Sequence, residues 1–172
     1  NIFFTYDGIT LPFKDCSFDI ILSQQVLEHV HNVEQYFLES RRVLSYKGRM
    51  LLEFPHRLVP YDTHTRMWFV HYFPQIIRNV IYDKFRDNGA KHYNKLLNLH
   101  SMRYYNFFLN AIFLSTEDVT SYRLGSFAYK DYYEGNMHVR ILADKLINFP
   151  FIGRIITKTL SIFASATLIV YK

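Results

Sequence analysis

The stretch FDIILSQQVLEHVHNVEQYFLESRRVLSYKGRMLLEF, residues 18–54, decides the fold. Its first six residues, FDIILS, are almost continuously apolar, as expected of a strand covered on both faces. A helix start follows. Asn32 is a good N-cap, and Gln35, three residues on, supplies the other half of a capping box. Val33, Tyr36, Phe37, Ser40 and Leu44 then recur at near-helical spacing while Glu34, Glu39 and Arg41 fall elsewhere, which predicts an amphipathic helix over 32–44. Lys47-Gly48 reads as the break that ends it, and RMLLEF, 49–54, as a second buried strand. Upstream, IFFTY at 2–6 is a further short strand. Strand, strand, helix, strand with short connections predicts parallel βαβ wiring in an α/β sheet.

The rest of the chain is consistent with one domain. Its 172 residues are 49% hydrophobic and 18% aromatic, enough for one sizeable core, with no repeat and no low-complexity tract. A single cysteine, Cys16, can form no internal disulfide and points either to a reducing compartment or to indifference to redox state, and a cytoplasmic setting is the expectation. The formal charge of +5 is dispersed among acids, which argues against a nucleic-acid partner. The most apolar run, TLSIFASATLIVY, is 13 residues long, short of the roughly 20 that a spanning helix needs. The chain opens at Asn1 directly in strand-like sequence, and a fragment is the expectation.

Sheets of this kind bind ligands beyond the carboxyl ends of their strands. Three places qualify: Asp7-Gly8, Ser23-Gln24-Gln25 and Pro55-His56. Asp7 is either an ordinary Asp-Gly turn or an acceptor for a flat polar ring, and spacing alone leaves both open.

The order of short motifs adds to this. Asp7 stands four residues before Leu11-Pro12-Phe13; Ser17-Phe18-Asp19, Val26-Leu27-Glu28-His29 and Arg42-Val43-Leu44 follow. Together they resemble the second half of the class I S-adenosylmethionine-dependent methyltransferases of the type 11 group. The resemblance implies a Rossmann-like methyltransferase sheet entered at about its third strand, the N-terminal strands missing. It implies S-adenosylmethionine as cofactor, with Asp7 accepting from the adenine amino group and Gly8 offering its amide. Ser23 and Gln24 would lie beside the methionine part, largely through backbone. His29 would face the transfer centre or support its loop. The family's G-x-G-x-G loop has no counterpart among the six glycines, and Tyr46-Lys47-Gly48 replaces the usual Pro-Gly-Gly turn.

Residues 1–56 are thus expected to be a cofactor-side half, 57–100 a helical insertion or acceptor lid, and 101–172 closing helices and edge strands. HRLVPYDTHTRMWFVHYFP, 56–74, is rich in aromatics and histidines. His56 and His64 join His29 as candidate catalytic bases, and Tyr61, Asp62, Trp68 and His71 as walls of an acceptor pocket. The spacing of His56, Asp62 and His64 matches no common zinc pattern, so no metal is expected. Further on, residues 75–97 read as helix, a break at Asn88-Gly89, then helix. MRYYNFFLNAIF, 102–113, reads as a core helix and DVTSYRL, 118–124, as an outer strand. Helices are expected near 137–147 and 151–160, and SIFASATLIVYK closes an antiparallel pair at one sheet edge.

The function this implies is methyl transfer to a small-molecule or glycan-type acceptor, incomplete without the glycine loop. Two alternatives stand beside it. One is a noncatalytic remnant that packs or binds a partner. The other is a membrane-peripheral enzyme on a lipid-linked acceptor, suggested by basic, aromatic segments at 57–86 and 146–160. An exposed sheet edge would also favour pairing with a second copy.

Overall fold

The computed structural model describes residues 9–62, 65–85, 95–127 and 152–172. The expected strand at 2–6, the break at 88–89, the helix near 137–147 and the site residues Asp7, Gly8 and His64 lie outside them.

Strand β1 (Phe18–Gln24), helix α1 (Val33–Val43) and strand β2 (Leu44–Phe54) form the expected unit, and β1 and β2 are parallel. Two strands joined through a helix in this way are the building block of Rossmann-like sheets. Strand β6 (Ala166–Tyr171) then pairs antiparallel to β2, and β5 (Ser115–Asp118) antiparallel to β6, giving the order β1-β2-β6-β5. The antiparallel edge read from the tail is present.

Register places the core. Met50, Leu52 and Phe54 of β2 stand opposite Val170, Leu168 and Ala166 of β6, and all six side chains are buried. Against them pack Val33 and Phe37 from α1, and Tyr105 and Leu109 from α3 (Met102–Ile112), which Ser101 caps by accepting from the Tyr104 amide. Phe37 meets Phe113 edge-on at 6.1 Å, and Phe54 meets Tyr105 at 4.8 Å. Such aromatic pairs add to the burial that dominates the core's stability. Helix α2 (Gln75–Phe85) belongs to the 57–100 segment. Helices α4 (Thr120–Phe127) and α5 (Ile152–Ser161) pack on each other. Among the described residues no helix is long and apolar enough to cross a membrane.

Four details differ from the sequence reading. First, the described residues do not cover β1 on both faces: Ile20 and Leu22 are 74% and 65% exposed. Among the described residues β1 pairs only with β2, and its free side opens on an apolar groove of about 390 Å³. Second, Gly48 does not terminate α1. The helix stops at Val43 and the chain enters β2 at once, with a bulge between the pairs Phe18–Leu44 and Ile20–Arg49. A Cβ on Gly48 would stand 2.7 Å from Leu44 Cγ, so the close approach of the bulge to a buried leucine selects glycine there. Third, the capping box is half formed: Asn32 Oδ1 accepts from the Gln35 amide at 3.0 Å, but the Gln35 side chain donates to the Ile9 carbonyl. Fourth, DVTSYRL is not a strand. Asp118 Oδ1 accepts from the Thr120 amide at 2.9 Å, and α4 starts at that turn. An Asp side chain that captures the amide two residues on turns the chain into a helix whatever the alternation beyond it.

Candidate active site

The motifs that recur together in residues 11–44 touch one another. Arg42 donates to the Leu11 and Phe13 carbonyls and pairs with Asp15 at 2.7 Å and Glu39 at 2.9 Å. Glu39 in turn accepts from the Leu11 amide. These two carboxylates hold the guanidinium above its ordinary pKa through hydrogen bonds, Glu39 first. Leu-Pro-Phe and Arg-Val-Leu are therefore two sides of one clamp that fixes the turn entering β1. Phe13 packs edge-on against Phe18 at 4.9 Å, and Ser45 donates to Asp19 across the bulge.

The clamp delivers β1 to its carboxyl end beside that of β2. There Gln24 Nε2 donates to Glu53 Oε2 at 3.0 Å, and Glu53 Oε1 pairs with Arg123 of α4, which also donates to the Ser165 carbonyl. Gln25 takes a left-handed backbone, φ 53°, with its amide donating to the Glu53 carbonyl. A non-glycine residue at positive φ is uncommon and such strain gathers at functional sites. Here it turns the chain out of the sheet at the mouth of a cavity of about 530 Å³, whose walls include Gln25, Glu53, Pro55, Tyr61, Asp62 and His71.

The 57–74 segment roofs this chamber. Strands β3 (Tyr61–Asp62) and β4 (Met67–Trp68) form a minimal hairpin, with the Tyr61 and Trp68 rings 5.0 Å apart. Asp62 is buried; its Oδ2 accepts from Thr65 Oγ1 at 2.5 Å and lies 3.9 Å from His71 Nε2. That separation is an ion-pair distance rather than a hydrogen bond. Tyr82 of α2 is buried behind them: burial pushes its hydroxyl pKa up, Asp62 adds to this, and Thr65 and Arg78 oppose it.

Other residues singled out in the sequence have different surroundings. Trp68 is exposed and does not line the chamber. Ser23 is buried and its Oγ accepts from Tyr36 at 2.6 Å, so the side chain ties α1 to β1. Gln24 is exposed at the strand end. His29 is exposed on a short 3-10 turn, Leu27–His29, with Nδ1 3.4 Å from the Leu96 carbonyl. That turn is pinned to the far end of the insertion by the Asn98 amide donating to Glu28 O at 2.7 Å. His56 is buried, and its Nδ1 accepts from the Leu58 amide. Burial pushes its pKa down, partly opposed by the Ala164 carbonyl and Asp118. A neutral ring committed to backbone suits a structural histidine.

The wall residues Glu53 and Ser165, and Arg123 which pairs with Glu53, were not singled out in the sequence. Glu53 was legible as an acid ending a buried strand. Arg123 and Ser165 were not, since only antiparallel pairing of β6 with β2 brings the α4 and β6 ends to this cavity.

Residues 2–52 match the family model described as a methyltransferase domain. Over 49 residues the chain is 47% identical to a candidate methyltransferase of Encephalitozoon cuniculi (strain GB-M1), 27% of this chain and 23% of that protein. Solved structures that resemble it include a geranyl diphosphate C-methyltransferase from Streptomyces coelicolor A3(2), at 12% identity and a TM-score of 0.44, covering 97% of this chain and 52% of that one. A phosphoethanolamine N-methyltransferase 2 from Haemonchus contortus gives 15% identity and 0.44, covering 96% and 36%. A candidate sarcosine dimethylglycine methyltransferase from Galdieria sulphuraria gives 16% and 0.41, covering 96% and 56%. The chain thus spans about half or less of the length of these relatives, and the sequence match rests on its first third.

Proposed function

We propose, from the methyltransferase-domain sequence of residues 2–52, that the whole protein moves a methyl group from S-adenosylmethionine to a small-molecule acceptor held under the 57–100 segment. The observation that carries this is the position of the chamber: it opens at the carboxyl ends of β1 and β2, where sheets of this type take their ligands, and its roof comes from the segment just outside the matched sequence. Exposed Gln24 and the turned-out Gln25 backbone are polar groups at that end that fit the cofactor's amino-acid part, with Asp7 and Gly8 assigned to its adenine.

When bound, S-adenosylmethionine supplies a methyl carbon already activated by sulfonium. The chain's own residues then have two tasks. Tyr61 and the roof orient the acceptor and exclude water, and alignment of this kind is a large part of catalysis. His71 takes a proton from an acceptor hydroxyl or amine, and buried Asp62 stabilises the imidazolium that results. Calorimetric titration of S-adenosylhomocysteine into the full-length protein tests the reading, with Asp7→Ala as control. Saturable binding that the substitution abolishes supports it; no binding favours the noncatalytic remnant.

One observation favours an interfacial variant of the same function. Trp68, Phe69 and Phe73, and Ile76, Ile77 and Val80 on α2, are all exposed, which makes a run of large apolar side chains on the outside of the roof. Soluble monomers seldom expose such patches without a partner or a lipid surface. Co-sedimentation with anionic vesicles, lost in Ile76→Ser/Ile77→Ser, tests it.

A further inference from the structure

Behind the chamber lies a second cavity of about 220 Å³, with His71, Leu97 and Leu99 in the walls of both. Its polar lining is Arg57, Arg78, Gln75, Asn98, His71 and His100, and no described Asp or Glu is among its lining residues. Arg78 Nε is buried with no hydrogen-bond partner among the described residues. Burial lowers the Arg78 pKa and the nearby Arg57 charge lowers it further, although Tyr82 pulls the other way. Burial also holds His100 below its ordinary value, which leaves the ring neutral and able to donate one hydrogen bond.

Two guanidiniums around one small cavity repel each other, and Arg78 is also partly desolvated, a cost that an anion between them offsets. The backbone adds to the same field. The cavity includes Pro74 and Gln75, the start of the 11-residue helix α2, whose first amides have no acceptor within the helix and point their dipoles outward. Arg57 is fixed from the other side, its amide donating to the His100 carbonyl at 3.0 Å. Arginine forks match the oxygens of phosphate in pairs.

We propose that this cavity is an oxyanion site which grips a phosphate group on the acceptor and so presents the acceptor's nucleophile to His71 in the adjoining chamber. The assignment of a phosphate rather than a carboxylate rests on charge: two arginines are neutralised by a phosphate dianion and only half neutralised by a carboxylate. The inference rests on the methyl-transfer reading for its use of His71, but the anion site itself does not need a cofactor. The phosphate belongs either to a soluble phosphomonoester or to a lipid, since exposed Phe73 lines the site and exposed Ile76 and Ile77 follow its wall residue Gln75 in the chain.

The test is calorimetric titration of inorganic phosphate into the 172-residue chain and into Arg57→Gln and Arg78→Gln. Arg57 is exposed, so its replacement leaves the fold intact, and circular dichroism checks both variants. Saturable binding that each substitution weakens about ten- to hundredfold is expected, the loss of a charged hydrogen bond. No binding, or binding equal in all three proteins, overturns the proposal. Glycerol phosphate and phosphatidic acid vesicles form the two further arms. Arg57-dependent binding in either supports the site and identifies the source, while vesicle binding indifferent to Arg57 together with no binding of soluble phosphate overturns it. Parallel titration of S-adenosylhomocysteine into the full-length protein separates the two readings: phosphate binding without it retains the anion site and removes the methyl-transfer function, and the reverse removes the anion site alone.

Discussion

The βαβ half and the roof are built on different principles. In residues 11–54 the elements are specified by neighbours in sequence, as in the Asn32 cap and the alternation of buried Met50, Leu52 and Phe54, and one long-range clamp at Arg42 ties them together. Among the described residues of 57–85 the regular structure is two two-residue strands, a 3-10 turn and one helix, with Arg66 and Phe69 at positive φ. There the chain is held by side chains and single backbone contacts, such as Tyr72 Oη donating to the Leu58 carbonyl at 2.7 Å and the Phe69 amide to that of Pro60. Regular hydrogen-bond ladders give stability; irregular backbone with polar side chains turned inward gives a place for chemistry. The stable half holds the sheet end still while the roof carries Asp62 and His71 over it.

That contrast can be broken by substitution. Phe37→Ala, in the first half, should cost about 3–5 kcal/mol and abolish cooperative unfolding of the whole described sheet, since it removes a fully buried ring between α1 and α3. Chemical denaturation measures it, and a loss under about 1 kcal/mol would mean that the roof, not the core, supports the fold. His71→Ala should lower kcat by a factor of about 10² or more for a protonated nucleophile, while its stability cost, although the ring is buried, stays below that of Phe37→Ala. An equal fall for His29→Ala would shift the base to the 3-10 turn.

Gly48→Ala should destabilise by about 1–3 kcal/mol, because its Cβ meets buried Leu44 and the bulge has to open. If the cost is nil, the bulge is soft and the glycine incidental. A smaller effect is pH-dependent. His56 is held below its ordinary 6.5 in the fold, so below that pH the unfolded chain binds a proton the native chain refuses. Stability is therefore full above 6.5 and falls as the solution is acidified, by at most about 1.4 kcal/mol per pH unit for this one group. His100 contributes in the same direction, and His56→Gln should flatten the slope. At the bottom of the scale, Trp68→Ala should change stability by less than about 0.5 kcal/mol, since the ring is exposed, and should matter only for vesicle binding.

What could be read in advance follows the same division. Strand, helix and strand over 18–54 were legible because the hydrophobic spacing and one cap residue act within a few positions. The helix at 102–113 was legible for the same reason, and its N-cap Ser101 lies where the pattern begins. The misreading of 118–124 shows the limit: alternation suggested a strand, and a single Asp118 to Thr120 hydrogen bond decided for a helix. Of the pocket residues expected from composition, Tyr61, Asp62 and His71 line the chamber, and Trp68 does not. Spacing cannot tell which face of a two-residue strand points inward, because the period needs several residues to show itself.

By itself the sequence determined the βαβ unit and the likeness to a methyltransferase domain, both of which rest on residue patterns at short, fixed intervals. Tertiary structure alone decided that Arg42 clamps the turn before β1, that Glu53 meets Arg123, that Asp62 faces His71, and that Arg57 and Arg78 share one cavity with no described Asp or Glu among its lining residues. The physical reason is distance along the chain. Contacts between residues 21 or 70 positions apart are made by how whole elements pack, and packing is set by the summed burial of many side chains rather than by any one of them.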